Sequence, residues 1–296
     1  MTTLAVALAV TWPHTERIRR LVAEVDPAGG DLAMRFGLPA TPGLVSLAAT
    51  ARRTRDPAVV WEHTQTLPGD ARVLVAPPGG AHARAALSTL AAAPHAPLLL
   101  PTVSRDAGVV VLADCGRVDP GSPAEAFARH ADALVLVTGT QGDDLAHAAA
   151  RLGELARWTP RPGLLLTGEG YPTAEVEREL GVRAIGRIPF DPTAAATLSG
   201  RRPPPARRRG HGGLARHAAV LARALAGPAV IAPTSSGVPG VPDQQVRWPG
   251  RTVVAPPGDG PHPLPVRLGA MPAPPQVSCP QRNGHQPGTA RKEPLP

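Results

Sequence analysis

The stretch Leu21-Val-Ala-Glu-Val-Asp-Pro-Ala-Gly-Gly-Asp31 decides how the rest of the sequence is interpreted. A short apolar run delivers two acids, Glu24 and Asp26, and then breaks at Pro27 and a pair of glycines. Apolar runs without polar alternation are typical of strands buried on both sheet faces, and glycines let a loop approach a ligand closely. The stretch therefore predicts a strand that ends in carboxylates beside a ligand-binding loop.

Further apolar runs follow this strand, and segments with helical character separate them. The opening residues 2–11 are compatible with a helix or a strand, and their alanines and leucines favour a helix that ends at Trp12-Pro13. Strands are predicted at residues 18–25, 70–76, 107–114, 132–137, 163–167 and 184–188, and the last helix at residues 214–225. This alternation predicts an α/β fold with a doubly wound, mostly parallel sheet.

In a doubly wound sheet, ligands bind outside the carboxyl ends of the strands. The predicted strands place Asp26, Asp114, Thr138, Pro189 and the turn at residues 77–80 at such ends. Each of these has a purely structural alternative, because strand-end acids often cap the following turn or helix. The sequence therefore predicts a ligand site at one edge of the sheet without fixing which side chains form it.

Composition adds a basic charge and few other functional signals. The 296 residues carry a net charge of +8, and Lys292 is the only lysine. A basic surface attracts nucleic acid or anionic lipid, although abundant Arg, Ala, Pro and Gly also reflect a GC-rich coding sequence. Cys115 and Cys279 lie in unrelated contexts, which favours a reducing compartment. No apolar run approaches the roughly 18 residues of a membrane span, so we expect a cytoplasmic protein.

The chain changes character at about residue 227. Proline, glycine and scattered polar residues dominate from there to Pro296, without sustained periodicity. Such a segment buries too little apolar surface to offset the entropy of ordering it. We therefore predict a folded domain at residues 1–226 and a disordered Pro-rich tail at residues 227–296, with a small second domain as the alternative.

Five segments, in the same order, resemble the MinD/ParA family of P-loop ATPases. LVAEVDPAGGDL at 21–32 resembles the switch I segment, and VVVLADCG at 109–116 resembles the Walker B strand. The segment at 131–155 looks like the strand and helix that follow, GVRAIGRIPFD at 181–191 like the segment near the adenine, and residues 197–225 like the closing segment. More narrowly, the chain resembles actinobacterial MinD/ParA-like proteins of chromosome partitioning.

The resemblance implies ATP and Mg²⁺ as cofactors and assigns roles to particular residues. It implies that Asp26 orients the attacking water or a metal-bound water with support from Glu24, and that Asp114 holds Mg²⁺ through water beside the Thr2 hydroxyl. Thr2 and Thr3 fall on the phosphate side, and Pro189 and Asp191 on the adenine side.

The resemblance also implies partners. It implies a homodimer and non-specific DNA binding that associates the protein with the nucleoid, while the partner protein stays unidentified. A basic cluster is the candidate for contact with DNA phosphates, against the alternative of a solvated surface. The cluster consists of Arg201, Arg202, Arg207, Arg208 and Arg209.

The departure from the family is at the N-terminus. The family's Gly-rich loop ends in Lys-Thr-Thr and cradles the phosphates at a helix N-terminus. Here Thr2 and Thr3 align with the two threonines, Met1 falls on the lysine position, and the strand and loop before it have no counterpart. We expect a coding sequence that begins upstream of Met1; the alternative is a truncated, nucleotide-free module.

Two functional hypotheses follow. The first is a degenerate MinD/ParA-like ATP-binding protein for chromosome partitioning or the positioning of other cargo, inactive as written and an ATPase if the loop exists upstream. The second is a non-catalytic scaffold of the same fold, such as an adaptor for pilus or septum placement. Asp26 and Asp114 favour the first hypothesis, and the lack of lysine before Lys292 favours the second.

Overall fold

The structure is a computed structural model, and it describes residues 2–13, 18–92, 98–199 and 213–227. The predicted tail lies outside these residues except for its first position, Gly227, and so does the whole arginine cluster at 201–209.

Seven strands form two hydrogen-bonded sheets within the described residues. The first sheet has the order β2-β3-β1-β4, and only its β2–β3 pair is antiparallel. The second has the order β5-β6-β7 and is wholly parallel. The strands are β1 (Arg19–Glu24), β2 (Gln65–Thr66), β3 (Arg72–Leu74), β4 (Val109–Asp114), β5 (Leu134–Gly139), β6 (Pro162–Thr167) and β7 (Ala184–Ile188).

Helices connect the strands, as parallel pairing requires. The opening segment is helical, in agreement with its alanine and leucine content. The helices are α1 (Thr2–Thr11), α2 (Leu32–Phe36), α3 (Leu44–Thr50), α4 (Val59–Glu62), α5 (Gly80–Ala91), α6 (Leu99–Val103), α7 (Glu125–Arg129), α8 (Gly142–Leu155), α9 (Thr173–Leu180), α10 (Pro192–Leu198) and α11 (Gly213–Ala226). Among these helices, none is long and apolar enough to cross a membrane.

The structure confirms the predicted fold class, a mostly parallel α/β architecture. It differs in one respect, because the strands form two sheets where the pattern predicted one. The break falls between β4 and β5, which are consecutive strands in the chain but have no hydrogen-bonded pairing. The physical reason is that no strand within the described residues lies between them to carry the ladder across.

Helices cover both faces of the sheets and form the core with them. One layer includes Leu21, Leu74, Leu87 and Phe127, while the opposite layer is built around α1. Apart from Arg19, every residue of β1 is buried, as expected for a central parallel strand. Burial of β1 in the core holds its carboxyl end in place, and with it the carboxylates of Glu24 and Asp26.

Candidate functional site at the carboxyl ends of the strands

Glu24 is the last residue of β1, and it is buried with its carboxylate turned to the backbone. One oxygen accepts hydrogen bonds from the Asp31 and Leu32 N–H groups at 2.7 and 2.9 Å, and the other accepts from the Ala76 N–H at 2.9 Å. Burial raises the pKa of Glu24 and the charge of Asp114 adds to this, although the three N–H groups oppose it. The geometry shows that Glu24 ties the loop after β1 and the start of α2 to the end of β3.

Asp26 lies two residues further on and is half-buried. Its Oδ1 accepts a hydrogen bond from the Ala28 N–H at 2.7 Å, which turns the chain towards the glycine pair. Burial raises the pKa of Asp26, and the charge of Asp114 raises it further. Its carboxylate also occupies the space where a Cβ on Gly116 would lie, and Gly116 has a φ of 57° that favours glycine. Gly116 is therefore required for this close approach.

Asp114 ends β4 and lies beside Glu24 in the parallel register of β1 and β4. It is 5% exposed, and its Oδ1 accepts from the Gly116 N–H at 3.3 Å. Cys115 follows it in the core, where burial, with the charges of Asp114 and Asp26, raises the pKa of the thiol to about 12. Asp26 and Asp114 therefore form a pair of electrostatically coupled carboxylates at one end of the sheet.

The start of α1 reaches the same end of the sheet. Thr2 lines a cavity of about 1460 Å³ together with Asp26, Asp114 and Gly116. The next residue, Thr3, has a different environment, because its hydroxyl accepts a hydrogen bond from Arg35 at 3.1 Å. Thr2, Asp26 and Asp114 thus line the same cavity, and their roles in a ligand site stay predictions.

Pro189 and Asp191 lie after β7, and neither lines this cavity. Asp191 is the N-cap of α10, since its Oδ1 accepts from the Ala194 N–H at 2.9 Å. Its other oxygen accepts from the Leu214 N–H at the start of α11, at 3.3 Å. The observed contacts of Asp191 are therefore those of a helix cap, the structural alternative to ligand binding. Its predicted contact with a nucleotide stays a prediction.

The turn at residues 77–80 opens α5 and contacts the loop after β1. The Gly30 N–H donates to the Pro77 carbonyl at 2.9 Å, and Arg84 donates to the Pro27 carbonyl at 3.2 Å. The loop after β1 therefore lies beside the N-terminus of α5, while Pro78 and Gly79 stay exposed.

Two arginines shape this edge without having been predicted. Arg35 bridges Thr3 and Asp31, the latter at 2.7 Å, so it joins α1 to α2. Arg187, inside β7, donates to the carbonyls of Gly168 and Tyr171 and to the Thr140 hydroxyl at 2.9–3.0 Å. Nothing distinguishes these two from the many other arginines in the sequence, so only the structure identifies them.

No metal cluster can be assigned from protein ligands alone. In the part of the chain that the structure describes, no group of three or more His, Cys, Asp or Glu side chains is arranged to hold a metal ion. Neither Asp26 nor Asp114 forms an ion pair within that part. Among the described residues, no basic side chain therefore offsets the charge of this pair.

Acidic residues lie at the carboxyl ends of adjacent parallel strands, beside the start of a helix, which is where doubly wound α/β proteins bind ligands. Among solved structures, the chain is similar to a ParA family ATPase from Chlorobium tepidum TLS, with a TM-score of 0.58 and 15% identity over 75% of this chain and 92% of that one. It is also similar to the septum site-determining protein MinD with Mg-ADP from Pyrococcus horikoshii OT3, with a TM-score of 0.55 and 17% identity over 76% and 88%.

A third similar structure is the cell division ATPase MinD of Pyrococcus furiosus, with a TM-score of 0.53 and 15% identity over 76% of this chain and 91% of that one. No protein-family model and no curated protein matches the chain. The chain therefore has the MinD/ParA fold.

Proposed function

We propose that the chain is a MinD/ParA-like nucleotide-binding protein that acts in chromosome partitioning or in positioning other cargo. The observation that carries the proposal is the convergence of Thr2, Asp26 and Asp114 on one cavity at the carboxyl ends of β1 and β4. The fold shared with ParA and MinD structures supports the same choice of ligand, since one of them contains Mg-ADP.

The carboxylate pair fits a magnesium ion. Mg²⁺ keeps several of its waters and is commonly held by one or two carboxylates together with substrate phosphates. Asp26 and Asp114 supply two carboxylates, and Thr2, whose hydroxyl would be a further oxygen ligand, lines the same cavity. The raised pKa of Asp26 reflects burial and the nearby charge of Asp114, which a bound cation would relieve. When bound, the ion would supply the positive charge that holds a polyphosphate.

The described residues offer less support for a phosphate-binding loop than for a metal site. No lysine precedes Lys292, and the loop after β1 is hydrogen-bonded to the turn that opens α5. The residues described here therefore account for a metal but not for a phosphate cradle, and no hydrolytic step follows from them. We accordingly infer a degenerate nucleotide site with ATP and Mg²⁺ as ligands, in which Asp26 and Asp114 hold the metal and Glu24 orders the adjoining loop.

The proposal extends to assembly and location. A nucleotide held at this edge would control homodimerisation, and the arginines at 201–209 would contact DNA phosphates and associate the dimer with the nucleoid. Their positive charge and the net charge of +8 support the assignment.

Calorimetric titration with Mg-ATP tests the metal assignment. We expect Mg²⁺-dependent binding that Asp114→Asn weakens at least tenfold, because it removes a charged ligand. Asp106→Asn, the same change at an exposed residue of the loop before β4, serves as the matched control and should bind normally. A chain that shows neither Mg-ATP binding nor nucleotide-dependent dimerisation, by titration and by light scattering, would contradict the proposal.

The second candidate is a non-catalytic scaffold, favoured by the lack of lysine before Lys292. In that case the Pro-rich segment at 228–296 recruits partners and nucleotide has no role. A chain that ends at Gly227 would then lose its interactions in a pull-down while the Asp114→Asn chain keeps them. The opposite result supports the nucleotide-binding protein.

A further inference from the structure

The loop at residues 115–119, directly after β4, touches both carboxylates of the Asp26 and Asp114 pair. The Gly116 N–H donates to Asp114 Oδ1 at 3.3 Å, and the Asp26 carboxylate lies against the α-carbon of Gly116, where a side chain would otherwise be. Gly116 has a φ of 57°, which favours glycine. A displacement of this loop would therefore change the surroundings of both carboxylates.

Arg151 of α8 holds the same loop from its other side. Its Nη1 donates to Asp119 Oδ1 at 3.0 Å, and its Nη2 donates to the Val118 carbonyl. One guanidinium thus contacts a side chain and the backbone of the loop through two different nitrogens, a fork that a lysine cannot reproduce. The Arg151 side chain is 24% exposed, and partly buried charge pairs are screened less than exposed ones.

The contacts of Arg151 cross the break between the two sheets. The loop at 115–119 continues from β4 of the first sheet, whereas α8 follows β5 of the second. β4 and β5 share no backbone ladder within the described residues, so Arg151 supplies polar contacts where strand pairing supplies none. Its Nε also lies 3.6 Å from Glu154 Oε2 one turn further along α8, an ion pair that favours this orientation of the guanidinium.

Arg117 contacts the same carboxylate as Arg151, but from within the loop. Its Nε lies 3.3 Å from Asp119 Oδ2, and its side chain is 82% exposed. Exposed ion pairs contribute little to stability, and a contact inside the loop cannot fix the loop relative to α8. The two arginines therefore share a charge and an acidic partner, and they differ in whether they anchor the loop to another element.

We propose that Arg151 is a positioning residue that holds the loop after β4 against Asp26 and Asp114 and so raises their affinity for a divalent cation. This rests on the proposed role of the two carboxylates as metal ligands. Mg²⁺ requires nearly ideal octahedral geometry, so its binding is sensitive to small displacements of its ligands. Residues that orient metal ligands typically contribute roughly 10- to 100-fold to metal affinity. Arg151 has no acceptor atom to offer a metal, so it acts through the loop.

The charge of Arg151 lets the sign of the effect decide between two roles. Arg151→Gln removes a positive charge from the wall of the cavity that Asp26 and Asp114 also line. By Coulomb's law alone, this loss would strengthen the binding of a cation. A positioning role predicts the opposite, because the released loop no longer orders the carboxylates. Arg117→Gln removes the same charge from the same cavity wall and leaves the loop tied to α8, so it is the matched control.

Mn²⁺ binding to the full chain without nucleotide tests the proposal. Mn²⁺ accepts the same oxygen ligands as Mg²⁺, and electron paramagnetic resonance measures the concentration of the free ion. We expect Arg151→Gln to weaken Mn²⁺ binding about tenfold, and Arg117→Gln to leave it unchanged or to tighten it slightly.

Backbone relaxation measured by NMR on the metal-free chain gives a second readout. We expect the order parameters of Gly116 and Val118 to fall in Arg151→Gln from the rigid range of about 0.85 towards about 0.6. Those of Val22, in the buried strand β1, should stay in the rigid range, which shows that the variant is folded. Arg117→Gln should leave all three unchanged.

Four results would overturn the proposal. They are Mn²⁺ binding by Arg151→Gln that is unchanged or tighter, an equal loss of affinity in Arg117→Gln, unchanged order parameters in the loop of Arg151→Gln, and a loss of order in β1 as large as in the loop. If the unsubstituted chain bound no Mn²⁺, the metal assignment would fail by itself. The order parameters would then decide whether Arg151 holds the loop, since they are measured without metal.

Discussion

Glu24 shows how a single side chain can hold several segments in place. Its carboxylate is 2% exposed and accepts three backbone hydrogen bonds from two separate parts of the chain. The sequence predicted an acid at this strand end but not what its carboxylate contacts. The position of a residue on a buried strand does not reveal whether its side chain faces a ligand or the backbone. The three N–H donors come from residues 31, 32 and 76, and only the fold brings them together.

We expect Glu24→Ala to lower the free energy of unfolding by about 3 kcal/mol, because three N–H groups, two of them buried, would lose a charged acceptor. Urea denaturation followed by circular dichroism measures the effect. Glu62→Ala, at an exposed glutamate of α4, is the matched control and should change stability by less than about 0.5 kcal/mol. Equal stability of the two variants would show that the Glu24 contacts contribute little.

Asp26 has a pKa raised by burial and by the charge of Asp114, so the folded state disfavours its ionised form. Its contribution to stability is therefore favourable at low pH and is lost as pH rises through the folded pKa. Asp26→Asn keeps an oxygen for the Ala28 N–H and removes the charge. We expect it to raise Tm by about 2 °C at pH 7 and by less at pH 4.5, measured by calorimetry without nucleotide.

Asp106→Asn again serves as the control for the Asp26 experiment, since that residue is exposed and should give the same small change at both pH values. If Asp26→Asn lowered Tm, or changed it equally at the two pH values, ionisation of the partly buried Asp26 beside Asp114 would not destabilise the fold.

Cys115 is buried beside Asp114, and its thiol has a pKa of about 12. Because the thiolate is the reactive form, a shift of about three pKa units lowers its population roughly a thousandfold at pH 8. In a Cys279→Ser chain, we expect iodoacetamide to leave Cys115 unmodified in native buffer and to alkylate it fully in urea, as read by intact mass. Rapid alkylation in native buffer would show that the thiol is accessible and ionised.

At the scale of elements, the long apolar runs were the predictable part. The runs that became β1, β4, β5 and β6 were identified correctly because two covered faces leave a continuous apolar signature. Short elements such as α4, β2 and α6 carry two to five residues each, too few for periodicity to appear. Their positions follow from tertiary contacts, for example the hydrogen bonds from Arg72 to Thr64 and Thr66.

Asp191 links two helices that the sequence predicted separately. It caps α10 through the Ala194 N–H and also accepts from the Leu214 N–H at the start of α11. Since the loss of an N-cap costs about 1 kcal/mol and a second N–H is involved, we expect Asp191→Ala to lower the free energy of unfolding by about 1–2 kcal/mol. Urea denaturation measures this loss.

An Asp191→Asn chain is the matched variant, because an asparagine oxygen still caps a helix. It should retain most of the stability that Asp191→Ala loses. Equal losses in the two variants would show that the charge, rather than the cap, is what stabilises this corner.

At the scale of the whole molecule, α1 packs against both sheets. Val6 and Ala9 pack with Val22 and Val73 of the first sheet, while Leu8 on the same helix packs with residues of the second sheet and α11, including Leu165, Ile188 and Leu221. The sequence predicted the helix and the strands, but not the break between β4 and β5. The amino-acid sequence of a strand does not show which other strand it pairs with. Cohesion across the break therefore rests largely on side-chain packing.

Leu8→Ala should expose this dependence. Removing a buried leucine side chain costs about 2–5 kcal/mol, and Leu90→Ala, in the core on the opposite face, is the matched control with the same loss of size. We expect both variants to lower the free energy of unfolding, but only Leu8→Ala to speed amide exchange in β6, β7 and α11 beyond its effect on β1 and β3. Hydrogen exchange measured by mass spectrometry distinguishes the two patterns. If Leu90→Ala speeds exchange in the second sheet as much as Leu8→Ala does, the two sheets are joined by more than the packing of α1.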